Sequence, residues 1–361
     1  MAVPLFDIAT PLAPLQPALR EAVLGVLDRG TYILGPEVAA FEDEWARALG
    51  VRHAVGVANG TEAITIALRA LGAGPGDEVV VPSFTFYASA EAIPPTGARP
   101  VFCDVDPETF CVTPESVRAA LTPRTKAVVA VDLFGNVPDI AGIRALGVPV
   151  VEDAAQAAGS TFRGTAAGSL GDVASFSFFP SKNLACFGDG GAVCTGDDRL
   201  AETVRMLRFH GSRDRVSYEE VGYNSRLDEI QAAVLRVLLP SLGGWAEARR
   251  AAACAYAEAG LGELVRLPRA VAGAEPAWHL YVICHPRPDG LAAALAERGI
   301  ESKAYYRTPV HRQPAMAGYA GGAELPGTEE AARTHLALPM GPHVGAREAA
   351  EVVAAVPAGA L

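Results

Sequence analysis

Ser175-Phe-Ser-Phe-Phe-Pro-Ser-Lys-Asn-Leu-Ala-Cys-Phe-Gly-Asp-Gly-Gly191 sets a lysine between a run of phenylalanines and a glycine-rich turn. The chain has 30 basic residues, and only three are lysines: Lys126, Lys182 and Lys303. A sequence that otherwise meets its need for positive charge with arginine keeps lysine where a guanidinium cannot serve. The clearest such task is that of a deprotonatable amine able to form a Schiff base. A lysine's ordinary fate is a solvated surface charge. Around Lys182, however, Phe176, Phe178 and Phe179 supply apolar cover, and the Gly188-Asp-Gly-Gly191 turn supplies backbone that can approach a ligand closely. Lys126 follows Thr122-Pro-Arg-Thr ahead of a strand and Lys303 opens another, so neither shares this setting.

Outward from this stretch the chain reads as α/β. Short apolar runs at 54–57, 78–81, 100–105, 127–133 and 148–151 alternate with helical patterns at 62–71, 114–121 and 140–146. The runs are β-branched and lack polar alternation, which predicts strands covered on both faces in a mostly parallel sheet. Apolar helices at 227–239 and 245–259, punctuated by Pro240 and Gly243-Gly244, lead into a smaller α+β unit. Its strands are expected near 280–284 and 303–306 and its helices near 291–298 and 347–355. The expected division is a large domain with an N-terminal arm over 1–240 and a small C-terminal domain over 241–361.

Half of the residues are apolar, enough for real cores. A net charge of -11 and a pI near 5.2 oppose a general nucleic-acid or anionic-membrane binder. The six cysteines form neither a C-x-x-C pair nor a zinc spacing, which predicts reduced thiols, mostly core fillers, and no metal site. The first residues lack the basic and long apolar regions of a secretory signal, and no run is long enough to span a membrane. An untargeted cytoplasmic protein is the expectation.

Two further sites carry chemistry. Asn59-Gly60-Thr61 precedes an amphipathic helix, so backbone N–H groups and the Thr61 hydroxyl could meet a phosphate there; an ordinary N-cap uses the same residues. Gly72-Ala-Gly-Pro-Gly-Asp lacks the dinucleotide spacing, and no nucleotide-binding G-x-x-x-x-G-K-[ST] occurs. In Val150-Val-Glu-Asp-Ala-Ala-Gln156, Asp153 ends an apolar strand, the edge at which open α/β sheets bind ligands. A reactive lysine, an acid at a strand end and a phosphate-suited helix start are the three anchors that pyridoxal phosphate requires: imine, pyridinium partner and phosphate cradle.

Taken with Gly76-Asp-Glu-Val-Val-Val-Pro-Ser-Phe-Thr-Phe86, Pro100-Val-Phe-Cys-Asp-Val-Asp106 and Gly222-Tyr-Asn-Ser-Arg-Leu-Asp-Glu-Ile-Gln-Ala-Ala233, these stretches resemble the DegT/DnrJ/EryC1/StrS family of sugar aminotransferases over nearly the whole chain. The resemblance implies the fold-type-I pyridoxal phosphate architecture: a large seven-stranded domain, a small C-terminal domain and a homodimer whose active sites lie at the subunit interface. It implies that Lys182 is the Schiff-base lysine and proton shuttle, that Asp153 pairs with the pyridine nitrogen, and that Gln156 bonds the phenolic oxygen. Phe86 would stack on the cofactor ring, with Phe84 in reserve. Gly60, Thr61 and Ser177 would hold the phosphate, helped by Asn224 of the partner subunit, with Arg226 close enough in sequence to share that task.

The same resemblance implies an activity. Glutamate or glutamine would convert the cofactor to pyridoxamine phosphate, and a 3- or 4-keto-deoxy sugar nucleotide would then accept the amine. A keto-cyclitol acceptor and a non-catalytic regulatory protein are the alternatives. His210 matches a family position near the sugar, or else a favourable charge at a helix end. Tyr306, His311 and Gln313 match the small-domain signature, which often reads His-Tyr-Pro where this chain has Tyr305-Tyr306-Arg307. Arg307 and Arg312 could meet a diphosphate or a donor carboxylate, or lie on the surface.

Overall fold

The computed structural model describes residues 3–357. Nine strands fall in its first two hundred residues: β1 (His53–Val57), β2 (Glu78–Pro82), β3 (Arg99–Cys103), β4 (Thr125–Val131), β5 (Val150–Asp153), β6 (Thr161–Phe162), β7 (Thr165–Ala166), β8 (Val173–Ser177) and β9 (Gly191–Thr195). Seven of them form one sheet in the order β1-β9-β8-β5-β4-β2-β3. Only β9 runs antiparallel to its neighbours. Val79, Val80, Val81, Val150 and Val151 are fully buried, as a sheet covered on both faces requires.

The register aligns the carboxyl ends of adjacent strands. Asp153 at the end of β5 lies opposite Val131 of β4 and Ser175 of β8. Gly191 of β9 lies between Ser177 of β8 and Val57 of β1. A side chain at Gly191 would meet the Asn59 backbone at 2.5 Å, so this glycine serves the close crossing of the chain after β1. The helix Gly60–Ala70 then starts directly over Ser177, capped by Asn59, whose Oδ1 accepts the Glu62 N–H at 2.9 Å.

Of the three phenylalanines before Lys182, two point away from the sheet's ligand edge. Phe176 and Phe178 pack edge-on against Trp45, at 5.0 and 6.0 Å, in a core that includes Phe41. Burying each ring contributes about 2–3 kcal/mol, which pins β8 and the loop that follows it. Phe179 is half exposed.

Beyond residue 200 the chain adds β10 (Ala274–Glu275), β11 (Tyr281–Cys284) and β12 (His335–Leu338). β10 extends the small β6–β7 ribbon, and β11 pairs antiparallel with β12. Helices Leu242–Glu258, Pro288–Glu297 and Ala346–Ala355 cover the β11–β12 pair around Tyr256, Ile283, Leu295 and Leu336. The N-terminal segment joins this body: Val3 bridges Ile300, and the Leu5 N–H meets Glu301 at 2.9 Å. The strand expected at 303–306 does not form. Lys303 makes a single bridge to Ala337, and the Tyr306 N–H is drawn off by His335 Nε2 at 3.1 Å. No helix among the described residues is long and apolar enough to cross a membrane.

Candidate active site

At the carboxyl edge of the sheet lies a cavity of about 640 Å³. Gly60, Thr61, Phe86, Asp153, Gln156, Ser177, Lys182 and Tyr306 all line it, drawn from five separate stretches of sequence. Lys182 reaches it from the loop after β8, held by a turn in which its own N–H bonds the Phe179 carbonyl at 2.8 Å. Burial pulls the Lys182 pKa down to about 8, against the opposing pull of the Asp153 carboxylate. The amine can therefore shed its proton near neutrality.

Asp153 is buried, and burial raises its pKa. Ser89 Oγ donates to its Oδ2 at 2.7 Å, Thr85 bonds Ser89 at 3.1 Å, and the Ala155 N–H approaches Oδ1 at 3.3 Å. These donors favour the carboxylate against the desolvation that disfavours it. Nothing in the local sequence pattern marks Ser89 or Thr85, which come from the stretch after β2.

Gln156 has its amide orientation fixed. Its Oε1 accepts the Phe134 N–H at 2.8 Å, which leaves Nε2 to donate to the Tyr306 hydroxyl at 3.2 Å. Phe134 makes this bond from a left-handed backbone, φ 60°, and its ring stacks on Tyr306 at 5.8 Å. Tyr306 is packed among aromatics, and burial keeps its hydroxyl protonated.

The two phenylalanines of the Ser83–Phe86 stretch separate cleanly. Phe84 is fully buried against Phe110, Phe134 and His335, whereas Phe86 is 54% exposed and lies in the cavity wall. Gly60 is packed so closely that a Cβ there would stand 2.7 Å from Ser177 Cβ. The first-turn N–H groups of Gly60–Ala70 have no acceptors within the helix and open on this same end of the cavity.

The structure does not bring the remaining candidates to this cavity within one chain. Asn224 is exposed and bonds the Arg226 guanidinium, which lies over the Phe209 ring at 5.5 Å. His210 follows the helix Asp198–Arg208 with φ 58°, its N–H on the Tyr223 carbonyl at 2.8 Å. His311 bonds Ser83 Oγ through Nδ1 at 2.5 Å and lies 3.6 Å from Glu329, away from the cavity lining. Arg307 pairs with Asp289, and Arg312 with Glu329 at 2.7 Å. His279, which sequence reasoning missed, lines the cavity as a buried imidazole with Nδ1 unpartnered; burial, Lys182 and Arg249 together hold it neutral.

A mostly parallel seven-stranded sheet with a depressed-pKa lysine after β8 and a buried aspartate at the end of β5 defines the fold-type-I class of pyridoxal-phosphate-dependent enzymes. The chain belongs to the DegT/DnrJ/EryC1/StrS aminotransferase family, whose profile matches residues 15–357. Among curated relatives, it is 46% identical to the dTDP-3-amino-3,4,6-trideoxy-alpha-D-glucose transaminase of Streptomyces venezuelae, covering 98% of this chain and 95% of that one. It is 44% identical to a pleiotropic regulatory protein of Geobacillus stearothermophilus, covering 95% of each. Among solved structures, S. venezuelae DesV in complex with a ketimine intermediate superposes with a TM-score of 0.95 at 46% identity, over 98% of this chain and 97% of that one.

Proposed function

We propose that this chain is a nucleotide-sugar aminotransferase that moves an amino group from glutamate or glutamine to a keto-deoxy sugar nucleotide. The observation that carries the reading is the pairing of a lysine of pKa about 8 with a buried aspartate in one cavity, in a chain of an aminotransferase family. The cavity fits pyridoxal phosphate: Gly60 leaves room at a helix start beside Ser177, Phe86 offers an open ring face, and Lys182 and Asp153 face the same space. When bound, that group supplies an aldehyde for amines and an electron sink for the carbanion formed beside it.

The chain's own residues do the rest. Lys182 would hold the cofactor through its amine and, as a general base and acid of lowered pKa, would move a proton within the cavity. Asp153, fixed by Ser89, would pair with the cofactor's ring nitrogen and favour its protonated form. Gln156 would offer Nε2, a donor beside the Tyr306 hydroxyl, to the ring's phenolic oxygen, because the Phe134 N–H has claimed its Oε1. Gly60, Thr61 and Ser177 would receive the phosphate, and Phe86 would stack on the ring.

We assign Asn224, Arg226 and His210 to the active site of a partner subunit in a homodimer. Exposed Tyr32, Ile33, Val216, Tyr218 and Val221 support such an interface. Tyr306 faces the acceptor sugar, with His311 behind it in the same small-domain segment. The same reading divides the chain near residue 240 into a large and a small domain. Six free cysteines support a reducing compartment, the cytoplasm.

The relative that acts on a 3-amino sugar makes a 3-keto acceptor the first to try. Purified protein with pyridoxal phosphate should lose its visible absorbance on adding glutamate or glutamine and regain it with a 3-keto sugar nucleotide, tested beside a 4-keto one. A protein that binds the cofactor but responds to no amino donor would instead fit the regulatory role that another relative's name carries.

A further inference from the structure

Lys182, Ser181 and Phe6 also line a second, smaller cavity of about 80 Å³, whose wall includes Asn183, Trp245 and Arg249. Arg249 comes from the helix Leu242–Glu258 and is 8% exposed. Its Nη1 donates to the carbonyls of Trp278 and His279, at 3.1 and 3.4 Å, while its Nε is buried with no acceptor among the described residues. No carboxylate pairs with it among the described residues, and burial alone shapes its pKa, pulled down to about 10. It remains a cation at neutral pH. Other arginines drawn into the protein have acids to meet: Arg208 has Glu42, and Arg236 has Glu37 and Glu44.

A buried cation with unmatched donors is unfavourable until an anion completes it. Beside Lys182, His279 Nδ1 also lacks a partner among the described residues. His279 is close enough to Lys182 and Arg249 to feel both charges. In an α-amino acid the amine and the carboxylate share one carbon, so the anion site must open beside the point at which the donor amine reacts. Lys182 marks that point and lines both cavities. The sequence's other candidates for a donor carboxylate, Arg307 and Arg312, are engaged by Asp289 and Glu329.

We infer that Arg249 receives the α-carboxylate of the amino-acid donor in the cavity beside Lys182. This rests on the aminotransferase reading and gives the donor a place within it. Asp7 also lines this cavity, but its Oδ1 accepts the Thr10 N–H at 2.9 Å and it makes no ion pair with Arg249, so the bound donor supplies the negative charge that the guanidinium lacks and leaves with it.

The test uses the holoenzyme and variants R249Q and R249K, the latter retaining a cation for the Trp278 and His279 carbonyls. Donor affinity is read from the colour change with glutamate, with glutamine, and with 2-methylglutamate, which has no α-hydrogen to lose and reports binding alone. R249Q should weaken all three by at least about 30-fold, the size of a lost charge-assisted pair, with R249K intermediate. Isoglutamine, whose α-carboxylate is an amide, should bind the wild type weakly and lose little more in R249Q. Equal losses for isoglutamine and glutamate would mean that Arg249 only supports the fold, and unchanged donor affinity in either variant would likewise overturn the assignment. A wild type that responds to no donor overturns the aminotransferase reading and this inference with it, whereas a responding wild type isolates the question to Arg249.

Discussion

Lys182 is the residue whose titration the structure constrains best, and a chain with three lysines lets it be read directly. Its pKa of about 8 lies 2.5 units below the 10.5 of a free lysine amine. At pH 7 about a tenth of such an amine is neutral, against about three in ten thousand for an ordinary one, and only the neutral form reacts with an acylating reagent. Cofactor-free protein pulsed with acetic anhydride at a series of pH values, then digested for mass spectrometry, gives a labelling rate for each lysine. The Lys182 rate should rise to a plateau with a midpoint near pH 8, with Lys126 and Lys303, both outside the cavity, as comparators. Asp153→Asn should move the midpoint further down, because that carboxylate is what opposes the burial. The same shift has a stability consequence with a definite sign. An amine depressed on folding penalises the folded state fully below pH 8, and the penalty disappears as pH rises through 10.5. At 1.36 kcal/mol per unit it reaches at most about 3 kcal/mol, reduced by water in the cavity. Lys182→Met should therefore stabilise the cofactor-free protein at pH 7 and lose that advantage above pH 10.5. A labelling midpoint near 10 would refute the whole line of reasoning.

Gly60→Ala places a methyl group 2.7 Å from Ser177 Cβ, so equilibrium dialysis should show pyridoxal phosphate held about tenfold or more weakly while circular dichroism stays native. Asp132 is buried beside Glu152 and Asp153, with no donor from the rest of the described protein on either carboxyl oxygen and only the Glu152 carboxyl to share a proton with, and burial followed by Glu152 raises its pKa far above the usual range. Asp132→Asn should thus stabilise the protein by about 1–2 kcal/mol at pH 8, with the gain shrinking toward pH 4, where the wild-type carboxyl is already protonated; urea unfolding at the two pH values checks this. Tyr306→Phe removes the acceptor of Gln156 Nε2 and should shift the visible absorbance of bound cofactor, since the freed amide changes its contact with the ring oxygen; an unchanged spectrum would detach Gln156 from that oxygen.

The strands and their order of appearance were legible wherever β-branched runs are buried on both faces, as in β2, β4 and β5. The direction of β9 was not. Gly191-Ala-Val-Cys-Thr195 is as apolar as any parallel strand, but β8 reaches it through residues 178–190 without a crossover helix, and a parallel return needs one. Phe84 and Phe86 share a period-2 face, so spacing could not separate them. What separates them is that Phe84 remains in the layer that β11 and β12 cover, whereas Phe86 lies past it. The supports of the site were equally silent in sequence: Ser89, Phe134, His279 and Arg249 act through contacts spanning from 22 to over 60 residues, which no local motif encodes. The short anchors could be read because each sits at a strand end or helix start, where chemistry and local structure coincide.

Lys182 and Arg249 show why the two basic residue types are not exchangeable around this cavity. Burial acts on both and lowers both, to about 8 and about 10. For the lysine that crosses the threshold at which a useful fraction of the amine is neutral at physiological pH; for the arginine it does not, and the guanidinium stays charged however dry its surroundings. One environment thus yields a nucleophile from the first and a permanent cation from the second. Exchanging them would cost function in both directions. An arginine at 182 could never present a lone pair, and a lysine at 249 would keep a cation but lose the guanidinium's fork, a weaker match for a carboxylate. The scarcity of lysine in the sequence is the trace of this division: arginine serves wherever charge must persist, and the amine is kept where charge must be given up.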